Sequence, residues 1–106
     1  MNVLEDIQKD NTRRKLSRLK QKHAVDELYV FGSAARQDFD PERSDLDFYV
    51  VFDEDKIPLL SYADNLFDLM DSLKRIFKRE IDLITPKSLK NPYFINNLNK
   101  TKVRVL

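Results

Sequence analysis

Hydrophobic spacing along the chain alternates between two periods. Val3, Leu4 and Ile7, then Leu16 and Leu19, recur at helical intervals, so residues 3–22 read as helix with a polar gap at Asp10-Asn11 where a second helix can be capped. Val25 to Phe31 is a β-rich run and predicts a first strand. Asp38 to Ser44 is polar, carries Pro41 and reads as a loop. Asp45 to Phe52 alternates and predicts a second strand, closed by the acidic turn Asp53-Glu54-Asp55. Pro58 and Ser61 then announce a helix, with Ser61-x-x-Asp64 resembling a capping box. Tyr62, Leu66, Leu69, Leu73, Ile76 and Phe77 recur at three and four, and Lys78-Arg79 suit the negative end of that helix. Glu80 to Ile84 predicts a third strand, ended by Thr85-Pro86. A short helix with Pro92 in its first turn and a last strand over Lys102 to Leu106 complete the pattern.

Composition narrows the class. One hundred and six residues suffice for one hydrophobic core, so residues 1–106 are expected to form one domain. A hydrophobic fraction of 42% beside 35% charged residues describes a globular chain rather than a disordered one. The absence of cysteine removes disulfides and thiolate metal sites, and the longest apolar runs are far too short to cross a bilayer. The N-terminus lacks a basic-then-apolar leader pattern, so a cytoplasmic protein with no membrane role is expected. A net charge of +1 supplies no global basic field, which makes nucleic acid an unlikely direct substrate. Charge is nonetheless uneven: six of the ten residues from Arg13 to Lys22 are basic, a solvated face or a patch for an acidic partner or RNA. The single His23, set among Lys and Gln at a helix end, is expected to cap that end or to be solvated.

Candidate chemistry begins at the only glycine. Gly32 follows the strand directly, and Ser33-Ala34-Ala35-Arg36 begin a helical run. Without a Cβ the corner reaches backbone angles closed to other residues and admits a close ligand. The unpaired N–H groups at a helix start suit phosphate oxygens. One glycine cannot write a Walker A loop or a dinucleotide fingerprint, and one histidine without cysteine disfavours zinc, Ser-His and Cys-His chemistry. The opposite charge lies in the second strand. Residues two apart share a strand face, so Asp45 and Asp47 project together while Leu46, Phe48 and Val50 point inward. Asp occurs thirteen times and Asp-x-Asp recurs at Asp38/Asp40 and Asp53/Asp55, but only Asp45/Asp47 open an alternating β-branched and aromatic run. On the third strand Ile81 and Leu83 join the core face, which leaves Asp82 on the face of Asp45 and Asp47. Carboxylates crowded beside a phosphate cradle call for a hard divalent cation, and Mg²⁺ takes carboxylate and phosphate oxygens together. This predicts nucleotidyl transfer from a nucleoside triphosphate.

Gly32-Ser33-Ala34-Ala35-Arg36 followed by Ser44-Asp45-Leu46-Asp47 resembles the signature of the DNA polymerase β-like nucleotidyltransferases. It is most similar to the stand-alone minimal nucleotidyltransferase (MNT) proteins, antitoxins encoded beside HEPN-type ribonuclease toxins. Asn91-Pro92 with its following aromatics and the Val-rich tail add to the likeness. One departure is Gln37, where the family usually has Gly. The resemblance implies an α+β fold, a small mixed sheet with helices packed on one face. It implies catalytic and metal-binding roles for Asp45, Asp47 and Asp82 around two Mg²⁺ ions, and nucleotide binding by Gly32, Ser33, Arg36 and Ser44. Arg36 would reach phosphate or brace the loop against an acidic side chain. It further implies AMP transfer from ATP to a tyrosine hydroxyl of a HEPN toxin in a hetero-oligomer. The alternatives are an antitoxin that neutralises its partner by binding alone, and a nucleotidyltransferase acting on a small molecule such as an aminoglycoside.

Overall fold

The described residues form a four-stranded mixed sheet. A computed structural model describes residues 3–32 and 45–106. The elements are α1 (Val3–Gln8), α2 (Asp10–Lys22), β1 (Val25–Phe31), β2 (Leu46–Phe52), α3 (Tyr62–Phe77), β3 (Ile81–Ile84), α4 (Pro92–Thr101) and β4 (Val103–Arg104). Single 3-10 turns occupy Glu54–Lys56, Leu59–Ser61 and Pro86–Ser88. β1 runs antiparallel to β2 and β4, whereas β2 and β3 are parallel and are joined by the α3 crossover.

The alternation in β2 decides which face is core. Leu46, Phe48 and Val50 are fully buried and Phe52 nearly so, while Asp47, Tyr49 and Val51 point to the other side. Leu28 and Val30 of β1 stand beside Val50 and Phe48 and extend the same apolar surface. Ile7 of α1, Leu16 of α2, and Leu69 and Leu73 of α3 cover it, with the Phe77 ring 5.6 Å from Phe48. Full burial of a side chain such as Phe48 contributes about 1.5–3 kcal/mol.

The expected elements that fall on described residues appear with boundaries within a residue or two, while the helical run from Ser33 and the loop over 38–44 lie outside the described residues. The expected helix over residues 3–22 is divided near Lys9 into α1 and α2, but Lys9 rather than Asp10 or Asn11 is the N-cap, and it makes no side-chain cap hydrogen bond. Helices cover one face of the sheet as anticipated, except that α4 touches the opposite face. Phe31, cross-strand neighbour of Asp47, meets Phe94 of α4 edge-on at 6.1 Å. Asn91 caps α4, its Oδ1 accepting from the Tyr93 and Phe94 N–H groups at 2.9 and 3.4 Å, with Pro92 in the first turn.

Two local expectations change. Ser61 forms no side-chain cap. It ends a 3-10 turn in helical backbone angles, whereas a capping hydroxyl needs an extended residue to reach the N3 N–H. His23 does occupy the C-cap of α2, but it is 3% exposed rather than solvated. Asn65 of α3 donates through Nδ2 to the His23 carbonyl at 2.9 Å. That orients Oδ1 toward His23 Nδ1, also at 2.9 Å, so Nδ1 carries the donating proton. No helix among the described residues is long and apolar enough to cross a membrane.

Candidate active site

Register brings two of the expected carboxylates together. In the parallel β2–β3 pair, Leu46 lies beside Ile81, Asp47 beside Asp82 and Phe48 beside Leu83. The Leu46 N–H donates to the Glu80 carbonyl at 3.1 Å and starts that ladder. Because Leu46, Phe48 and Ile81 face the core, Asp47 and Asp82 must share the opposite face on neighbouring strands about 4.8 Å apart. Asp47 is half-buried and Asp82 exposed. Asp45 stands two residues before Asp47, at the entrance to β2, and is exposed. Among the described residues no three Asp, Glu, His or Cys side chains gather around one ion position, so the register pairs Asp47 with Asp82 and leaves Asp45 at the margin.

The third wall is backbone. Phe31 is the β1 neighbour of Asp47, and Gly32 follows at φ +70°, in the left-handed region. A Cβ on Gly32 would overlap the Asp47 carboxylate oxygen Oδ2. The only glycine of the chain therefore both turns the corner and clears space for the Asp47 carboxylate. Ser33, Arg36, Gln37 and Ser44 lie outside the described residues.

The far end of this face was not anticipated. Tyr29 and Tyr49 are cross-strand partners with ring centroids 5.9 Å apart. Lys102, at the end of α4, places Nζ 4.4 Å from the Tyr29 ring centre and 5.4 Å from that of Tyr49. The Tyr29 hydroxyl donates to Glu27 at 2.5 Å, and this bond holds its pKa above the ordinary tyrosine value. Burial does the same for Tyr49. Phe94 covers Phe31. A signal existed: Tyr29 and Phe31 alternate with core residues, and aromatics on the polar phase of a strand imply a covering element.

A carboxylate pair beside the Gly32 backbone suits a hard dication carrying phosphate oxygens: among the described residues the donors are all oxygen, of the kind Mg²⁺ takes. Asp47 and Asp82, with Asp45 at the entrance, are the residues that would hold it.

The sequence profile of the nucleotidyltransferase domain matches residues 12–105. A chain of Methanocaldococcus jannaschii, named as an inferred protein adenylyltransferase, is 36% identical over 105 residues, covering 99% of this chain and all of its own length. A solved structure described as an inferred minimal nucleotidyltransferase superposes with a TM-score of 0.63 at 26% identity, covering 88% of both chains. A complex of a tri-AMPylated Shewanella oneidensis HEPN toxin with an MNT antitoxin shares the fold, with a TM-score of 0.56 at 16% identity over 89% of this chain and 68% of that one. The match of the nucleotidyltransferase domain over residues 12–105 places the chain in that family, with a minimal nucleotidyltransferase among the structures it resembles.

Proposed function

We propose that this nucleotidyltransferase is a protein adenylyltransferase of the antitoxin type. It transfers AMP from ATP to a tyrosine hydroxyl of a HEPN-type toxin, with Mg²⁺. The observation carrying this reading is the Asp47–Asp82 pair beside the bare Gly32 corner. The relative's name supplies the reaction class, and the AMPylated toxin complex supplies the partner class.

The tyrosine oxygen attacks the α-phosphorus, the bond to the β-phosphate oxygen breaks, and pyrophosphate leaves. Asp82, exposed on the open face, accepts the hydroxyl proton directly or through water. Asp45, Asp47 and Asp82 are the ligands proposed for Mg²⁺, as two ions. When bound, Mg²⁺ neutralises charge on the phosphates and activates the nucleophile. The Gly32 backbone gives the triphosphate its approach, with Ser33, Arg36 and Ser44 proposed as further nucleotide contacts.

Incubating the chain with its cognate HEPN partner, Mg²⁺ and ATP should add AMP to the partner, read by intact mass and located by fragmentation. Asp47→Asn and Asp82→Asn should each reduce transfer by about a thousandfold or more, the scale of removing a group that acts in the transition state. Transfer undiminished in both variants overturns the site. Neutralisation that persists in both without a mass change replaces the reading with binding alone.

A further inference from the structure

A groove of about 370 Å³ runs between α2 and α3, on the helix-covered side of the sheet. Its walls carry Lys15, Arg18 and Lys22 from α2 and Arg75 from α3, all exposed, over a floor of Leu19 and Ile76. The α2 cations sit at i, i+3 and i+7, one helix face, and span roughly 10 Å along the axis. Among the described residues Lys15, Arg18 and Lys22 have no carboxylate within ion-pair distance. Arg75 is braced, its Nη2 donating at 3.1 Å to Ser72, whose side chain lies within the groove. A chain of net charge +1 has thus gathered four cations in one trough.

The trough continues. A second hollow of about 310 Å³ shares Lys15 and Ile76 with the first, adds Lys78 and Arg79 beside Phe77 and a single carboxylate, Asp6, and reaches Leu46, the residue before Asp47. The cationic track therefore leads to the strand end that carries the carboxylate pair.

We propose that this groove binds a single-stranded phosphodiester chain as a ligand, separately from the adenylyl-transfer substrate. A linear series of unpaired cations is the electrostatic footprint of a phosphate backbone. A guanidinium held in place by Ser72 offers its planar fork to a phosphate with little further ordering. An acidic protein segment fits less well. Protein interfaces concentrate aromatic and apolar anchors and are depleted of lysine at their centres. This groove has two lysines and no aromatic side chain, whereas the exposed apolar residues Leu59, Leu60 and Phe67 lie outside it.

The test is fluorescence anisotropy of the full chain with a short labelled oligouridylate and its oligothymidylate counterpart, across about 50 to 200 mM salt. Four neutralised phosphates give a log–log salt slope near −3 (about −0.7 per phosphate for a single strand). The double variant Arg18→Ala/Lys22→Ala should flatten the slope by about 1.4 and weaken binding roughly tenfold at the low-salt end. Arg75→Ala tests the braced guanidinium separately, and Lys56→Ala/Lys90→Ala, exposed and outside the groove, should bind as the parent does. Equal affinity for the two oligomers, or preference for RNA, both support the proposal; the second adds a 2′-hydroxyl contact. Absence of saturable binding at low salt overturns it, as do groove variants that bind like the parent. Displacement by polyglutamate at equal charge would overturn it too and assign the groove to an acidic protein.

Discussion

At Gly32 a hydrogen in place of a side chain lets the backbone of β1 lie against the Asp47 carboxylate while the chain turns at φ +70°. Gly32→Ala meets two separate penalties. The left-handed conformation costs a non-glycine residue about 1–2 kcal/mol. The new methyl must also displace Oδ2 of Asp47, a side-chain atom that can rotate away only by giving up its present position. The first penalty acts on stability and the second on the position of the carboxylate proposed as an ion ligand. The expected outcome is a melting temperature lowered by several degrees and adenylyl transfer lowered by about a hundredfold, the scale of an ångström-sized misplacement. Thermal melts and rates on the same preparation check both. A variant that melts lower yet transfers at the parental rate would show that Asp47 does not need its present position.

Asn65 fastens α3 to the end of α2 through two hydrogen bonds to one residue, the His23 carbonyl and Nδ1. Asn65→Leu would leave both His23 groups in a site 3% exposed, where Nε2 is already buried with no hydrogen-bond partner among the described residues. An unsatisfied buried group costs about 1–3 kcal/mol, so the urea midpoint should fall accordingly, with an unchanged m-value. A loss below about 0.5 kcal/mol would mean that the two helices are held by Leu16, Leu69 and Leu73 without this link. The same pair marks the limit of what sequence spacing conveys. Strand and helix periods are local, so β2 was legible from Leu46, Phe48 and Val50, and the side of Asp47 with it. The α3 stripe through Leu69 and Leu73 was equally plain. Asp82 was placed on the right face by Ile81, but its alignment beside Asp47 depends on a parallel register set by the α3 crossover, which no local pattern encodes. His23 and Asn65 are forty-two positions apart, and nothing in either neighbourhood announces the other. The return of α4 to cover Phe31 and Tyr29 is of the same kind: the aromatics were visible, their cover was not.

For the whole molecule, the sheet divides charge as well as polarity, with carboxylates on its open face and the α2–α3 cations behind it. Asp47 beside Asp82 sets two like charges on neighbouring strands, which repel. A structural role for Asp82 and a chemical one therefore predict opposite signs on substitution. Asp82→Asn keeps the shape, removes one charge and should raise stability by about 0.3–1 kcal/mol at low salt, with the gain kept small by the exposure of Asp82. That corresponds to a few degrees in melting temperature for a chain of this size. The gain should shrink as salt rises toward 1 M, where the screening length falls to about 3 Å. Adenylyl transfer by the same variant should be abolished. A more stable and inactive protein is the pattern of a site that holds like charges together for function. If Asp82→Asn instead destabilises the chain at every salt concentration, Asp82 is a structural residue, and the proton acceptor and ion ligand must be sought elsewhere on the open face.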